Sequence, residues 1–512
     1  MKGPTVVDPQ LLARFEQLQG KLAPFWATAD DQALAPQTIF VVPSISYPRS
    51  ILAMLESLQQ YEERFLILFM LLRNPRTRVV YVTSEQVLPD VVDYYLHLLP
   101  GVIPSHARRR LFLVSPLDGT LRPLTEKLLE RPRLIERLRN LAIDPDRSYI
   151  IPFNTTSMER ELSVRLGVPI LGADPKYLPL GTKSGCRKLF AEEGVRHPAG
   201  FEDLTGMKDV AVAISKLRAE KPGLAAVLVK TNEGVSGWGN ALVALDGLPA
   251  PGDPSEYARV ERALKDQIGP KYTEFEAQFV KEGGIVEELV SGDQVRSPSA
   301  QMLIDPLGGV QMLSTHDQLL GGPAGQVYQG CQFPADPAYA VQITQEAAKI
   351  GRRLAAEGVV GRAAIDFVCI RTAGRWDAHA IELNLRQGGT THPFLTLQFL
   401  TDGRYVADQG VFIAPNGRRK YFVASDHVES PQYRGFSPDD LFDIVVRYRL
   451  HFDHASQTGV VFHMVSALPE VGRTGLTAVA DSAEEAQWMY EAVVRALDAE
   501  ALEAFDEQPP FG

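Results

Sequence analysis

Two carboxylates and a carboxamide mark the part of this chain best equipped for chemistry. Asp366 lies in GRAAIDFVCI (361–370), and Glu382 and Asn384 lie in WDAHAIELNL (376–385). Both runs read as strands, and Thr372-Ala373-Gly374 between them reads as a hairpin turn. Alternate side chains of a strand share a face. Glu382 and Asn384 therefore project together, Ile381, Leu383 and Leu385 take the other face, and Asp366 stands on the neighbouring strand. A hard, all-oxygen set of this kind suits Mg2+, with Mn2+ as its substitute, held by one or two carboxylates plus substrate phosphates. The bland alternative is a solvent-facing polar stripe on an edge hairpin.

Groups suited to phosphate lie upstream. Lys230 closes the buried strand AAVLVK (225–230), which runs into the glycine-rich TNEGVSGWGN (231–240) and a second strand, ALVAL. Gly234, Gly237 and Gly239 would let backbone N–H groups approach an anion, and a lysine at the strand end adds charge. Neither a GxxxxGK(S/T) loop nor a GxGxxG after a βα strand is present. Lys183 stands near the start of a helix in GTKSGCRKLFAEEG (181–194), where the helix end favours anions. VEELVSGDQVRS (286–297) is the end of a strand, GGIVEELV, running into a turn. Its unpaired backbone groups, with Glu287 and Glu288 as acceptors, offer what an adenine requires. The bland readings are a hairpin tip, a surface lysine and a charged strand edge.

The elements that must hold these residues fall into three groups. The runs 38–43, 79–83, 111–114 and 148–152 are β-rich and alternate with helical patterns such as Ile51–Leu72 and Val87–Leu99. That alternation predicts an α/β layer with a mostly parallel sheet. The charge run Arg108–Arg110 reads as a solvated loop or helix end. Ile343, Ala347, Ile350 and Leu354 fall at helical spacing. After about residue 405, YFVAS and TGVVFHMVSAL read as strands. Ser437-Pro438 reads as a helix start, and Ser482-x-x-Glu485 as a capping box opening a final helix, Ala483 to about Ala499.

Composition bounds the partners. The 512 residues are 45% hydrophobic, enough for about three domains. With 63 acidic and 52 basic residues the net charge is −11, which disfavours a nucleic-acid partner. Cys186, Cys331 and Cys369 are far apart, so neither a zinc ribbon nor a disulfide framework is expected, and a reducing cytoplasm is. The start, MKGPTVVDPQ, lacks a signal-peptide core, and the most apolar run, Phe65–Leu72, is too short to span a membrane.

The order of the segments is more telling than any one of them: Lys on a helix, Lys with a glycine hairpin, Glu-Glu-aliphatic hinge, Asp strand, then Glu-x-Asn with a GGTTH turn. That order resembles the ATP-grasp superfamily across residues 179–400, and IELNLRQGGTTH is similar to the metal-binding turn of D-alanine:D-alanine ligases. KTNEGVSGWGNA, ELNLRQGGTTHPF, YFVASDHVESPQYRGFSPDDL and TGVVFHMVSALPEVGRTGL together resemble the pheganomycin-type peptide ligases over most of the chain. The resemblance implies an ATP-grasp fold, α/β overall and α+β in the ATP-clamping core. Its units are a pre-ATP-grasp domain (1–178), a catalytic core (179–404) and a small C-terminal α+β domain (405–512).

It also implies roles. Lys183 and Lys230 would meet ATP phosphates, under a loop containing Gly234, Ser236, Gly237 and Gly239. Glu287, Glu288, Leu289 and Val290 would form the adenine hinge, and Asp366, Glu382 and Asn384 would hold the metal. Gln294 occupies the usual place of the ribose-binding acid, with Asp293 beside it. The implied reaction is amide formation. ATP phosphorylates a carboxylate, an amine attacks the acylphosphate, and ADP and phosphate leave. Arg386, with Arg296 as a second candidate, could hold the acylphosphate oxygens, and His392 or His463 could take the amine's proton. The substrates would be small-molecule or peptide acids and amines. Two rivals are a kinase on the same fold, marked by a stable phosphorylated product, and an ATP-binding module without turnover.

Overall fold

The computed structural model describes residues 8–28, 35–55, 57–234, 239–321 and 327–506. Four short apolar strands, Gln37–Val42, Thr77–Val82, Leu111–Val114 and Ser148–Pro152, pair in parallel in the order third, second, first, fourth. They are the four runs expected, and their near-continuous apolar character suits a sheet covered on both faces. The helix expected at Val87–Leu99 is Pro89–His97, with proline at its first position.

Ile51–Leu72 is not one helix. It is divided into Arg49–Leu52, Gln59–Glu63 and a 3-10 segment, Leu66–Arg73. An amphipathic helix buries one face, whereas here Glu62 and Glu63 are both buried and turn to different partners. Glu62 accepts hydrogen bonds from the Ser84 backbone (2.5 Å) and hydroxyl (2.7 Å), and Glu63 from the Ser466 hydroxyl (2.7 Å). Arg110 donates to the carbonyls of Leu72, Asn74 and Thr77, so part of the charge run ties backbone together.

A second, antiparallel sheet has the order Gly200–Leu204, Gly284–Glu288, Ala226–Thr231, Asn240–Ala244. The helices Met207–Glu220, Glu256–Ile268 and Tyr272–Glu282 close its core around Ile214, Val229 and Phe279.

The largest sheet has nine strands. Its path runs Arg375–Asn384, Gly361–Thr372, Pro298–Ile304, Val310–Gly321, Val327–Phe333, Tyr421–Glu429, Arg473–Ala480, Gly459–His463, and Gln294–Arg296 pairs at the side. The helix Pro337–Ala356 packs Ile343, Ala347, Ile350 and Leu354 into its core, as their spacing predicts. Three of these strands lie beyond residue 405, so the C-terminal segment extends the sheet of the segment before it. The run TGVVFHMVSAL is strand only over Gly459–His463 and then turns into the short helix Ala467–Val471. The final helix, Ala483–Asp506, opens on Ser482, whose hydroxyl accepts from the Glu485 N–H at 3.1 Å. Among the described residues no helix is long and apolar enough to cross a membrane.

Candidate active site

The hairpin turn between the acid-bearing strands is two residues, Ala373 and Gly374, with φ of 50° and 81°, the left-handed pair that matches strand twist. The register it sets would put Asp366 opposite Ile381; a one-residue shift between Asp366 and Phe367 skips Ile381 and places Asp366 opposite Glu382 and Ala364 opposite Asn384. On the other side Ser299 pairs with Asp366 and Gln301 with Ala364. One sheet face thus carries two rows, Ser299–Asp366–Glu382 and Gln301–Ala364–Asn384. Asp366 accepts hydrogen bonds from Gln318 Nε2 (2.9 Å) and Asn384 Nδ2 (3.1 Å). The stripe is not solvated: the Glu382 side chain is 28% exposed, and Lys183 covers it.

The electrostatics of this pair fit a divalent cation. Burial, reinforced by the Glu382 charge, pushes the Asp366 carboxyl up to about 6 against the pull of Ser299, Arg386 and Lys183. Burial also opposes charge on Glu382, but the ion pair with Lys183, with Arg386 and Lys230 nearby, holds it below the usual range. Two neighbouring carboxylates, one resisting ionisation, together with a carboxamide, form the hard oxygen donor set a divalent cation takes, with Lys183 as its counter-charge in this structure.

The lysines are buried and paired. Lys183 Nζ is 2.5 Å from Glu382 Oε2, and Lys230 Nζ is 2.5 Å from Glu287 Oε1. Arg187, one turn after Lys183, reaches Glu287 Oε2 at 3.2 Å. The helix Lys183–Glu192 therefore links the two sheets, one basic residue to each. Its first N–H groups are not free for an anion, contrary to the sequence expectation. The Lys183 N–H donates to the Asn232 carbonyl (3.2 Å), Ser184 N–H to Asn232 Oδ1 (2.9 Å) and Gly185 N–H to the Thr182 hydroxyl (3.0 Å). What Lys183 offers is its side chain.

Of the glycine loop, Gly234 and Gly239 flank the gap, whereas Ser236 and Gly237 lie outside the described residues. Gly239 has φ of 82°, and a Cβ there would collide with the Thr231 hydroxyl. The hairpin closure demands glycine there whatever the loop binds. The hinge strand ends at Glu288, two residues before the expected end. Lys221 (2.6 Å) and the Ala199 N–H (2.8 Å) hold the Glu288 carboxylate, and the Leu289 N–H donates to the Ala226 carbonyl at 3.1 Å. Val290 follows outside the strand. The exposed Asp293 is anchored by its N–H to the Arg371 carbonyl at 2.8 Å.

Arg386 stands beside the acid pair, stacked over Tyr47 and Phe153 at 5.9 and 5.8 Å. The first sheet is thereby joined to the site, and Gln387 Nε2 adds a bond to the Pro152 carbonyl at 2.5 Å. Arg296 lies elsewhere: it is exposed, near Asp317, and donates to the Val295 carbonyl at 3.1 Å. His392 and His463 are buried and both bond Asp426, at 3.2 and 2.7 Å. Arg187, Ser299, Gln318 and Tyr47 were not legible as site residues in the sequence. Arg187 had a signal, its i,i+4 spacing from Lys183. Ser299 and Gln301 had another, polar residues at period two in an otherwise apolar strand.

Comparisons with known proteins agree with this fold. A family model described as "IQCH-like, ATP-grasp" matches residues 253–405, and one described as "PGM1 C-terminal domain" matches 440–493. The chain is 30% identical over 458 residues to the L-propargylglycine–L-glutamate ligase of Streptantibioticus cattleyicolor, covering 88% of this chain and 92% of that protein. It is 25% identical over 380 residues to the IQ motif-containing protein H of Danio rerio, covering 65% of this chain and 36% of that protein. Among solved structures, a biotin carboxylase from Campylobacter jejuni in complex with an ATP analogue superposes with TM-score 0.52 at 13% identity, covering 89% of this chain and 90% of that one. An N5-carboxyaminoimidazole synthetase from Staphylococcus aureus with ADP gives 0.51 at 9% identity, covering 90% and 98%.

Proposed function

This chain belongs to the pheganomycin-type peptide-ligase family of the ATP-grasp superfamily, and from that premise we propose how its residues divide the work of joining two amino-acid-sized substrates. It is an ATP-dependent ligase that forms C–N bonds between a carboxylate and an amine. The named relative joins two amino acids, L-propargylglycine and L-glutamate, which supports acid and amine partners of that size here.

A free carboxylate does not form an amide at neutral pH without activation. In the proposed route the acid takes the terminal phosphoryl group of ATP, the amine attacks the acylphosphate, and phosphate leaves with ADP. Lys183 and Lys230 release Glu382 and Glu287 and turn to phosphate oxygens. Asp366, Glu382 and Asn384 would hold Mg2+, which supplies charge neutralisation on the phosphates. The segment Glu287–Val290 would face the adenine, and Asp293 the ribose. Arg386, with its fork fixed over two aromatic rings, holds the acid's carboxylate and then the acylphosphate oxygens. The division near residues 178 and 404 belongs to the same proposal. The first part supplies Tyr47 and Phe153 to the site, and the third extends the core sheet. Three buried free cysteines suit a reducing cytoplasm.

The observation that carries this reading is the Asp366–Glu382 pair with a lysine held on it. Product analysis tests it: ADP and phosphate should appear in one-to-one ratio with amide and require Mg2+. AMP and pyrophosphate, or turnover without a divalent ion, would overturn it.

A further inference from the structure

The sheet face that carries the acid row and the carboxamide row has a third row. Leu303 pairs with Arg362, two residues before Ala364 and therefore on the same face as Asp366. Arg386 follows Asn384 by two residues, where the strand has ended. Both arginines line one cavity of about 180 Å³, walled by Leu71, Tyr149, Leu303 and Leu395. The two arginines differ. Arg386 has two rings beneath it, the Gln387 carbonyl at 3.0 Å and the acid pair nearby. Arg362 Nη1 is buried and has no hydrogen-bond partner among the described residues. Burial alone draws its guanidinium down to about 10, with no carboxylate acting on it. The Arg362 residue is half-buried, and an unsatisfied buried donor on it calls for an explanation. Here it lines a cavity that it shares with Arg386, the arginine beside the acid pair.

We propose that Arg362 is a specificity residue that receives a second carboxylate on the acid substrate, so that the enzyme selects a dicarboxylic amino acid whose reacting carboxylate lies at Arg386. The inference rests on the ligase reading above. The cavity is bounded by aliphatic and aromatic side chains and by both guanidinium groups, a lining suited to a short aliphatic chain with a carboxylate at each end. A guanidinium fork meets a carboxylate in bidentate fashion. A site built to bond a charged group rejects an uncharged isostere far more strongly than an apolar pocket rejects a missing methylene.

The test uses the full chain with ATP, Mg2+ and hydroxylamine as a generic amine, reading ADP and hydroxamate across the amino acids offered as acids. Glutamate or aspartate should exceed glutamine, asparagine and norvaline in kcat/KM by at least about 100-fold. Arg362→Gln should reduce that preference to a few-fold, chiefly by raising KM for the dicarboxylate, and Arg362→Lys should retain part of it. Should Arg362→Gln not fold, wild-type inhibition by glutarate against butyrate gives the same reading, with glutarate expected at least about tenfold stronger. Equal use of neutral and acidic amino acids, equal inhibition by glutarate and butyrate, or an unchanged preference in Arg362→Gln overturns the inference and leaves the ligase intact. Restoration of norvaline turnover by added butyrate would make Arg362 a free-anion site and also overturn it. Absence of ADP and hydroxamate with every acid would overturn the ligase reading itself, and this inference with it.

Discussion

Two acid centres, one buried and one half-buried, both within reach of a basic residue, have opposite characters. Asp426 is fully enclosed. Arg64 reaches it at 2.6 Å, and His463 and His392 bond its other oxygen at 2.7 and 3.2 Å. Burial opposes its charge, yet Arg64 first and His392 next hold it well below the usual carboxylate range. Burial, with lesser help from His463, also draws His392 down to about 3, so that histidine stays neutral and is not poised to take a proton. Gly475 fits against this knot because a Cβ there would collide with the His463 ring. Asp366 is the reverse: burial and a neighbouring carboxylate push it up to about 6. A compensated buried charge joins segments, here Arg64, His392 and Asp426 from distant parts of the chain. An under-compensated one awaits a ligand. Both centres hold a carboxylate and nitrogen donors, so residue type alone does not separate them. The balance of charge does.

That contrast can be broken by substitution. The largest effect should be in catalysis. Glu382→Gln should lower kcat at least about 100-fold while circular dichroism shows the fold retained, and full activity would refute the metal assignment. Next is the knot: Asp426→Asn leaves Arg64 buried without its partner and should cost about 3–5 kcal/mol in denaturant unfolding at pH 7. Lys230→Met should raise the KM for ATP by about tenfold, with Arg187 still holding Glu287 in place.

The smallest effect has the opposite sign. Asp366 binds its proton more tightly folded than unfolded. Its contribution to stability is therefore complete below about 3.8 and is lost as pH rises through about 6. At pH 7 without metal, Asp366→Asn should stabilise the chain by about 1–3 kcal/mol, where Asp426→Asn destabilises it. Asp426 contributes in the other direction: its stabilisation is present above the unfolded value near 3.8 and is lost as pH falls toward its low folded value. Mg2+ should raise the wild-type midpoint and leave that of Asp366→Asn unmoved. Thermal melts from pH 3 to 7, with and without metal, read both.

The sequence made the acid hairpin legible because its logic is local. Alternation puts Glu382 and Asn384 on one face and Ala373-Gly374 gives the turn, whereas the register shift that brings Asp366 onto that face has no signal in the spacing. The two lysines were legible as members of an ordered series. The strands Pro298–Ile304, Val310–Gly321 and Val327–Phe333 were not, although they supply Ser299, Gln301 and Gln318. Those residues matter through register with Gly361–Thr372, which is a long-range property. Arg64 and Tyr47 reach the core from the first sheet's connections, and no spacing within the chain announces that. The division of Ile51–Leu72 was hidden for the same reason, since the partners of Glu62 and Glu63 are Ser84 and Ser466.

The central claim is that the acid is phosphorylated before the amine attacks. Isotope transfer tests it most directly, with the acid substrate carrying oxygen-18 in its carboxylate and the phosphate product read by mass spectrometry. One labelled oxygen should appear in inorganic phosphate for each amide formed. Unlabelled phosphate, or label in AMP, would contradict the account.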